Sequence, residues 1–210
     1  MGLFITFEGG EGAGKTTLIE SLAKKLTSLG ISVIKTREPG GTPFGEKVRQ
    51  VLLEPGGSPL SPYTELCLFL ASRAQHIQDV IMPALQQKKV VLCDRFNDST
   101  IAYQGAARGL GMPEVAEVCA FICQGLQPHL TFYLDIEPKA GLQRAFNRSE
   151  GKDRMESEAL SFHQKIRDAY LVLQRKNPKR LHLLDATCSP SQVFEQAMLF
   201  LEPLLPKNHV

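Results

Sequence analysis

No stretch of the 210-residue sequence approaches the ~20 consecutive apolar residues that a membrane-spanning helix requires. Neither sign of charge is in excess: 24 Lys and Arg against 22 Asp and Glu leave a formal net charge of +2. A nearly neutral chain offers no global field for nucleic acid or an anionic membrane, so basic residues that matter must be placed locally. The five cysteines (Cys67, Cys93, Cys119, Cys123 and Cys188) are odd in number and lack CxxC spacing. That argues against a disulfide framework or a zinc site and for a reducing compartment. Most of them sit in apolar stretches, where cysteine behaves as a small hydrophobe. His76, His129, His163, His182 and His209 show no metal-ligand spacing and read as surface or packed residues. No Ser-His-Asp or paired-carboxylate arrangement points to hydrolysis, and internal repeats, low-complexity tracts and linkers are missing too.

What is present is the composition of an ordinary globular protein, 43% hydrophobic and 22% charged. At this length one hydrophobic core is feasible, and residues 1–210 read as a single domain. The first residues match a myristoylation pattern, Gly2 followed by Thr6, but the same residues make the first buried strand. The start is too short and too poor in basic residues for a signal peptide, so the expected location is cytoplasmic.

Five short apolar runs read as strands, over 3–7, 32–36, 90–94, 130–135 and 181–184. Most are continuously hydrophobic rather than alternating, as for strands covered on both faces of a parallel sheet. Helices are expected between and after them, over 15–29, 44–53, 62–87, 113–123, 138–146, 156–174 and 190–201. Gly30 stops the first, and Pro83 is expected to end or bend the third. In the 156–174 helix Leu160, His163, Ile166, Tyr170 and Leu173 recur at three- and four-residue spacing, as one packing face. Strand and helix in alternation predict an α/β fold, a doubly wound five-stranded parallel sheet flanked by helices.

Between the first strand and the first helix stands Gly9-Gly10-Glu11-Gly12-Ala13-Gly14-Lys15-Thr16, a complete G-x-x-x-x-G-K-[ST] loop in its required context. Backbone N–H groups of such a turn converge on phosphates, and the helix N-terminus adds partial positive charge. Gly12 and Gly14 permit angles and close approach that a side chain would block. Lys15 is expected at the β- and γ-phosphates of ATP or GTP, and the Thr16 hydroxyl at Mg²⁺. The loop does not say where the phosphate goes. A guanine-selecting N-K-x-D is lacking, which argues against a GTPase switch.

Asp94-Arg95 closes the third strand, where ligands of doubly wound sheets bind. Asp94 is placed to hold Mg²⁺ through water and Arg95 to offer a fork to a second phosphate. Three further blocks belong with them: Arg37-Glu38-Pro39-Gly40-Gly41-Thr42, Phe69 with Arg73 on one helix face, and Thr100, Tyr103 and Gln104 on a helix opening near Ser99.

Taken together the sequence resembles thymidylate kinases of the bacterial type over nearly its whole length. The marks are Phe7 to Thr17, Arg37 to Thr42, Asp94-Arg95-Phe96 and Ala102-Tyr103-Gln104-Gly105, in order. The resemblance implies transfer of the ATP γ-phosphoryl group to dTMP, giving dTDP for dTTP synthesis, with Mg²⁺, and usually a homodimer. It implies an ATP loop of Gly10, Glu11, Gly12, Ala13, Gly14, Lys15, Thr16 and Thr17. Phe69 would stack on thymine, Arg73 would bond its carbonyl, and Thr100 and Gln104 its edge. Tyr103 would crowd the sugar at the 2′ position, and Glu11 would approach the 3′-hydroxyl. Arg37, Arg49 and Arg95 would surround the dTMP phosphate, with Glu38 in the same substrate block. Phe69 has core packing as its alternative reading, and Arg49 a solvated helix charge.

In this family the catalytic arginine comes from the phosphate loop or from a lid. Glu11 and Ala13 leave the loop without one, so the charged segment 144–154 is the candidate lid. Arg148 is the first choice at the transferring group, with Arg144 and Arg154 at ATP; a solvated turn is the alternative. The catalytic set is then Lys15, Asp94, Arg95 and Arg148. Rival readings are another nucleoside monophosphate kinase on this scaffold and, from a different class, a partner-stimulated nucleotide switch.

Overall fold

A computed structural model describes residues 2–54, 59–147 and 154–205. Its centre is a five-stranded sheet, β1 (Leu3–Glu8), β2 (Val33–Arg37), β3 (Val90–Asp94), β4 (Leu130–Asp135) and β5 (Leu181–Asp185). All pairings are parallel, in the order β2-β3-β1-β4-β5. Because β1 is central, the loop that leaves it opens at the middle of the sheet's carboxyl edge, beside the ends of β3 and β4.

Alternate strand residues feed two cores. On one face Ile5, Phe7, Leu92, Phe132 and Leu184 pack with Leu18, Leu22 and Leu26 of α1 (Lys15–Ser28) and Val193, Ala197 and Leu201 of α9 (Pro190–Leu201). The other face holds two clusters. Phe4, Val91 and Cys93 meet Leu85 and Phe96, while Tyr133 and Leu181 meet Tyr103, Ile166 and Tyr170. Hydrophobic cover on both sides is why the strand runs carry no alternation.

The helices differ from expectation in three instructive places. The span 62–87 is not one regular helix: α3 (Pro62–His76) passes through a wide turn at Ile77–Ile81 into α4 (Met82–Gln86). Pro83 lacks a donor and its ring crowds the carbonyl one turn earlier, and the wide turn absorbs both. The helical path therefore continues past Pro83 rather than ending there. The helix expected near Ser99 opens at α5 (Asn97–Thr100) and widens over Ile101–Ala107, the segment that carries Tyr103 and Gln104. The helix expected over 156–174 is α8 (Leu160–Lys176). Its start is delayed because Arg154 is tied to Leu52 O and Glu65, and Glu158 to Arg108, which draws 154–158 into a turn. Leu160 is 48% exposed and is not part of the packing face, where Phe162 and Ala169 join His163, Ile166, Tyr170 and Leu173.

The remaining helices, α2 (Pro43–Leu53), α6 (Met112–Cys123) and α7 (Pro138–Phe146), lie within a residue of their expected bounds. Of the segment read as a lid, Arg148 and residues 149–153 lie outside the described residues. Among the described residues no helix is long and apolar enough to cross a membrane.

Candidate active site

The turn from β1 into α1 is shaped by two glycines with different reasons to be glycine. Gly14 caps α1 at φ 92°, in open space, so the constraint there is the left-handed backbone. Gly12, at φ 69°, lies so close to α7 that a Cβ would collide with the Gly141 carbonyl. Lys15 is buried, its Nζ folded back to donate to Gly9 O (3.1 Å) and Gly10 O (3.0 Å). Burial, and then Arg95, lower its pKa.

Arg95 follows β3 directly and has the left-handed φ of 71° that side chains rarely adopt. Its backbone N–H donates to Phe7 O at 2.9 Å. The guanidinium reaches Gly9 O (3.0 Å), Ser99 Oγ (3.3 Å) and Glu11 Oε1 (2.6 Å), and lies 5.0 Å from the centre of the Tyr103 ring. Tyr103 donates its hydroxyl to the same Glu11 oxygen at 3.0 Å. Burial pushes the Glu11 carboxyl up, but Arg95 and Lys15 outweigh it and bring it down to about 2.

Two cavities open on either side of this knot. The larger, about 950 Å³, is lined by Glu11 to Leu18, Asp94, Arg144, Cys188, Pro190 and Arg37 among others. The smaller, about 90 Å³, is lined by Phe69, Arg73, Phe96, Ser99, Thr100, Tyr103, Gln104 and Met155. Glu11, Glu38, Arg49, Leu53 and Arg95 belong to both walls. Sites for two ligands therefore share one charged partition.

Asp94 gives a test of a metal. Its Oδ1 is buried without a hydrogen-bond partner, in the cavity that Thr16 also lines. An orphaned carboxylate oxygen is costly unless something cationic or hydrated meets it. Among the described residues no three acidic, His or Cys side chains cluster for a metal. One carboxylate and one hydroxyl suit Mg²⁺, which keeps waters and takes phosphates as its other ligands.

Around the smaller cavity, Arg73 is buried and held by Glu38 Oε2 (2.7 Å) and Thr100 Oγ1 (2.9 Å). Glu38 faces Arg73 and His76, so its carboxylate positions those side chains. Phe69 is half-buried, lines the cavity and belongs to none of the hydrophobic clusters. Arg49 is half-buried and donates to Pro39 O at 3.0 Å, while Arg37 is exposed and pairs with Glu46 at 3.0 Å. Arg144 lines the larger cavity and donates to Ala186 O at 2.8 Å. Arg154 is not brought to the phosphate loop: it donates to Leu52 O and Glu65 Oε2, both at 2.7 Å.

Sequence reasoning missed four supports of this site. Glu8 is fully buried and accepts from Phe96 N (2.8 Å), Tyr170 OH (2.9 Å) and Ser99 Oγ. Burial, and then Asp98, raise its carboxyl to about 7. Ser99, His76 and Glu65 are the others, each linking residues far apart in the chain. For Glu8 the signal existed: a lone acid closing an apolar strand just before the loop.

Comparisons with known proteins point to one family. The family model described as thymidylate kinase matches residues 7–197. A thymidylate kinase of Protochlamydia amoebophila is 48% identical over 208 residues, covering 96% of this chain and 92% of that one. One of Bacillus licheniformis is 44% identical and covers 100% and 99%. The crystal structure of thymidylate kinase from Ehrlichia chaffeensis superposes with a TM-score of 0.79 at 33% identity, covering 95% of this chain and 98% of that one.

Proposed function

The chain belongs to the thymidylate kinase family, whose members pass the ATP γ-phosphoryl group to dTMP, and we propose that the two cavities divide those nucleotides between them. The observation that carries the reading is the shared wall of Glu11 and Arg95. Transfer between two bound nucleotides needs one partition that touches both phosphates, and a cation there lowers their mutual repulsion.

ATP takes the larger cavity. The amides of Gly10 to Thr17 and Lys15 hold its phosphates, and Arg144 lies along the same wall. Asp94 and the Thr16 hydroxyl would hold Mg²⁺, which when bound screens phosphate charge. In this conformation Arg154 is engaged by Glu65, and a contact to ATP would require leaving it.

dTMP takes the smaller cavity, with Phe69 against the face of the base and Arg73, Thr100 and Gln104 at its edge. Tyr103 stands where a 2′-hydroxyl would fall, Glu11 faces the 3′-hydroxyl, and Arg95, Arg49 and Arg37 surround the phosphate. Arg95 is preorganised by its four contacts, so it aims the acceptor phosphate without reorganising during transfer. Arg148 is assigned to charge developing on the transferring group.

We also assign a homodimer. Tyr63 of α3 is 71% exposed and Phe121 of α6 80%, and such large apolar side chains favour a pairing face. Light scattering on the purified chain tests that.

The reaction is tested with γ-labelled ATP and a panel of dTMP, dUMP, dCMP and AMP. Labelled dTDP as the dominant product supports the reading. Preference for another monophosphate would move the chain to a different specificity on the same fold, and hydrolysis without a labelled acceptor would end the assignment.

A further inference from the structure

Gln104 and Glu65 are each 1% exposed, and Gln104 Nε2 donates to Glu65 Oε1 at 2.8 Å. Glu65 also accepts from Arg108 Nε (3.1 Å) and Nη2 (3.2 Å) and from Arg154 Nη2 (2.7 Å). Burial pushes the Glu65 carboxyl up, but hydrogen bonds from Arg108, Gln104 and Arg154 outweigh it and keep it below the usual carboxylate range. At neutral pH it is ionised, and an ionised carboxylate only accepts.

A side-chain amide has one donor end and one acceptor end. With its NH₂ turned to Glu65, Gln104 is left with Oε1 for a ligand, and that oxygen accepts from no described residue. Arg73 lines the same cavity and is a donor only. A pyrimidine with a C4 carbonyl and an N3–H meets this donor–acceptor pair correctly. A cytosine-type base, with a C4 amino group and a bare N3, meets it wrongly at both atoms.

We propose that Glu65 is a positioning residue for specificity: by fixing the orientation of the Gln104 amide, it makes the pocket select N3–H pyrimidines over cytosine-type bases. Glu65 touches no nucleotide and acts through Gln104. The inference rests on the smaller cavity being the base pocket.

The probe pair is dTMP and 5-methyl-dCMP, which share methyl, sugar and phosphate and differ at N3 and C4. Glu65→Gln leaves one oxygen for the donors of Gln104, Arg108 and Arg154 and adds an NH₂ that can only donate, so the Gln104 amide is no longer held with its oxygen toward the base. The ratio of kcat/KM for dTMP over 5-methyl-dCMP is expected to fall about tenfold, the scale of one hydrogen bond. Glu65→Asp, still an acceptor only, is expected to keep the wild-type ratio even where both rates drop. An unchanged ratio in folded Glu65→Gln overturns the proposal, as does a ratio in Glu65→Asp that falls equally. Should Glu65→Gln not fold, the wild-type enzyme with ¹⁵N3-labelled dTMP supplies the test. Its imino proton is expected to be hydrogen-bonded and protected from exchange, and an unprotected one overturns the proposal. Gln104→Ala separates the two levels. Weakened use of dTMP there with an unmoved Glu65→Gln ratio sinks this inference alone, whereas unchanged use of dTMP sinks the pocket reading beneath it.

Discussion

Replacing Glu8 by Gln should flatten the pH dependence of folding stability near neutrality. Glu8 is fully buried beneath the turn that carries Arg95, and burial with Asp98 nearby raises its carboxyl from 4.5 to about 7. Below pH 4.5 the folded and unfolded chains both hold the proton. Between 4.5 and 7 only the folded chain keeps it, so each rise in pH favours unfolding, and above 7 the loss is complete. A raised acid therefore contributes stability that is present at low pH and gone at high pH, on the order of 3 kcal/mol across the window. The glutamine amide stays neutral. Its oxygen accepts from Phe96 N, and the Ser99 and Tyr170 hydroxyls can rotate to accept from its NH₂, so the Arg95 turn is retained. Urea unfolding from pH 5 to 8 reads the difference between the two proteins, and contributions from histidines common to both cancel. Parallel curves for wild type and Glu8→Gln would show that the proton resides elsewhere.

Phe69→Ala should raise KM for dTMP roughly 5- to 150-fold while leaving KM for ATP alone, as loss of one stacking platform does; a fall in Tm with unchanged KM would return Phe69 to packing. Asp94→Asn should raise the Mg²⁺ concentration for half-maximal rate about tenfold or more, and an unmoved Mg²⁺ titration would detach Asp94 from the cation. Arg148→Ala should lower kcat ~10³-fold at unchanged Tm, and near-normal turnover would reassign the role. Arg95→Gly and Arg95→Ala should both be inactive, but the glycine variant should be about 1 kcal/mol more stable in urea, since only it takes φ 71° freely. Equal stabilities would mean that the turn relaxes once the guanidinium is gone.

The strands were legible because burial on both faces wrote each as an apolar run. Three of those runs, in β1, β2 and β5, stop a residue short of the strand's carboxyl end, and physics explains why. Glu8 pairs in register with Tyr133, Arg37 with Asp94, and Asp185 with Asp135, so the backbone ladder continues after the hydrophobic pattern has ended. Polar side chains cluster there because the carboxyl edge of the sheet is where ligands are held, and the mismatch between pattern and ladder marks the site. The phosphate loop, Asp94-Arg95 and the Phe69–Arg73 pair were legible because each is local in sequence. Glu8 was legible only by its place at the end of an apolar strand, and Glu65 and His76 were not, since an acid or histidine in a strand or helix looks like a solvated charge until its partner is known. Their partners are Ser99, Gln104 and Glu38, at separations of 91, 39 and 38 residues. The same distinction separates their chemistry. Most residues found by spacing face the cavities, whereas Glu8, Glu65 and His76 are buried behind them and fix which atom each cavity-lining partner presents. In the proposed reading, local motifs bring two phosphates to Arg95, and the long-range buried pairs set the orientation in which the base arrives.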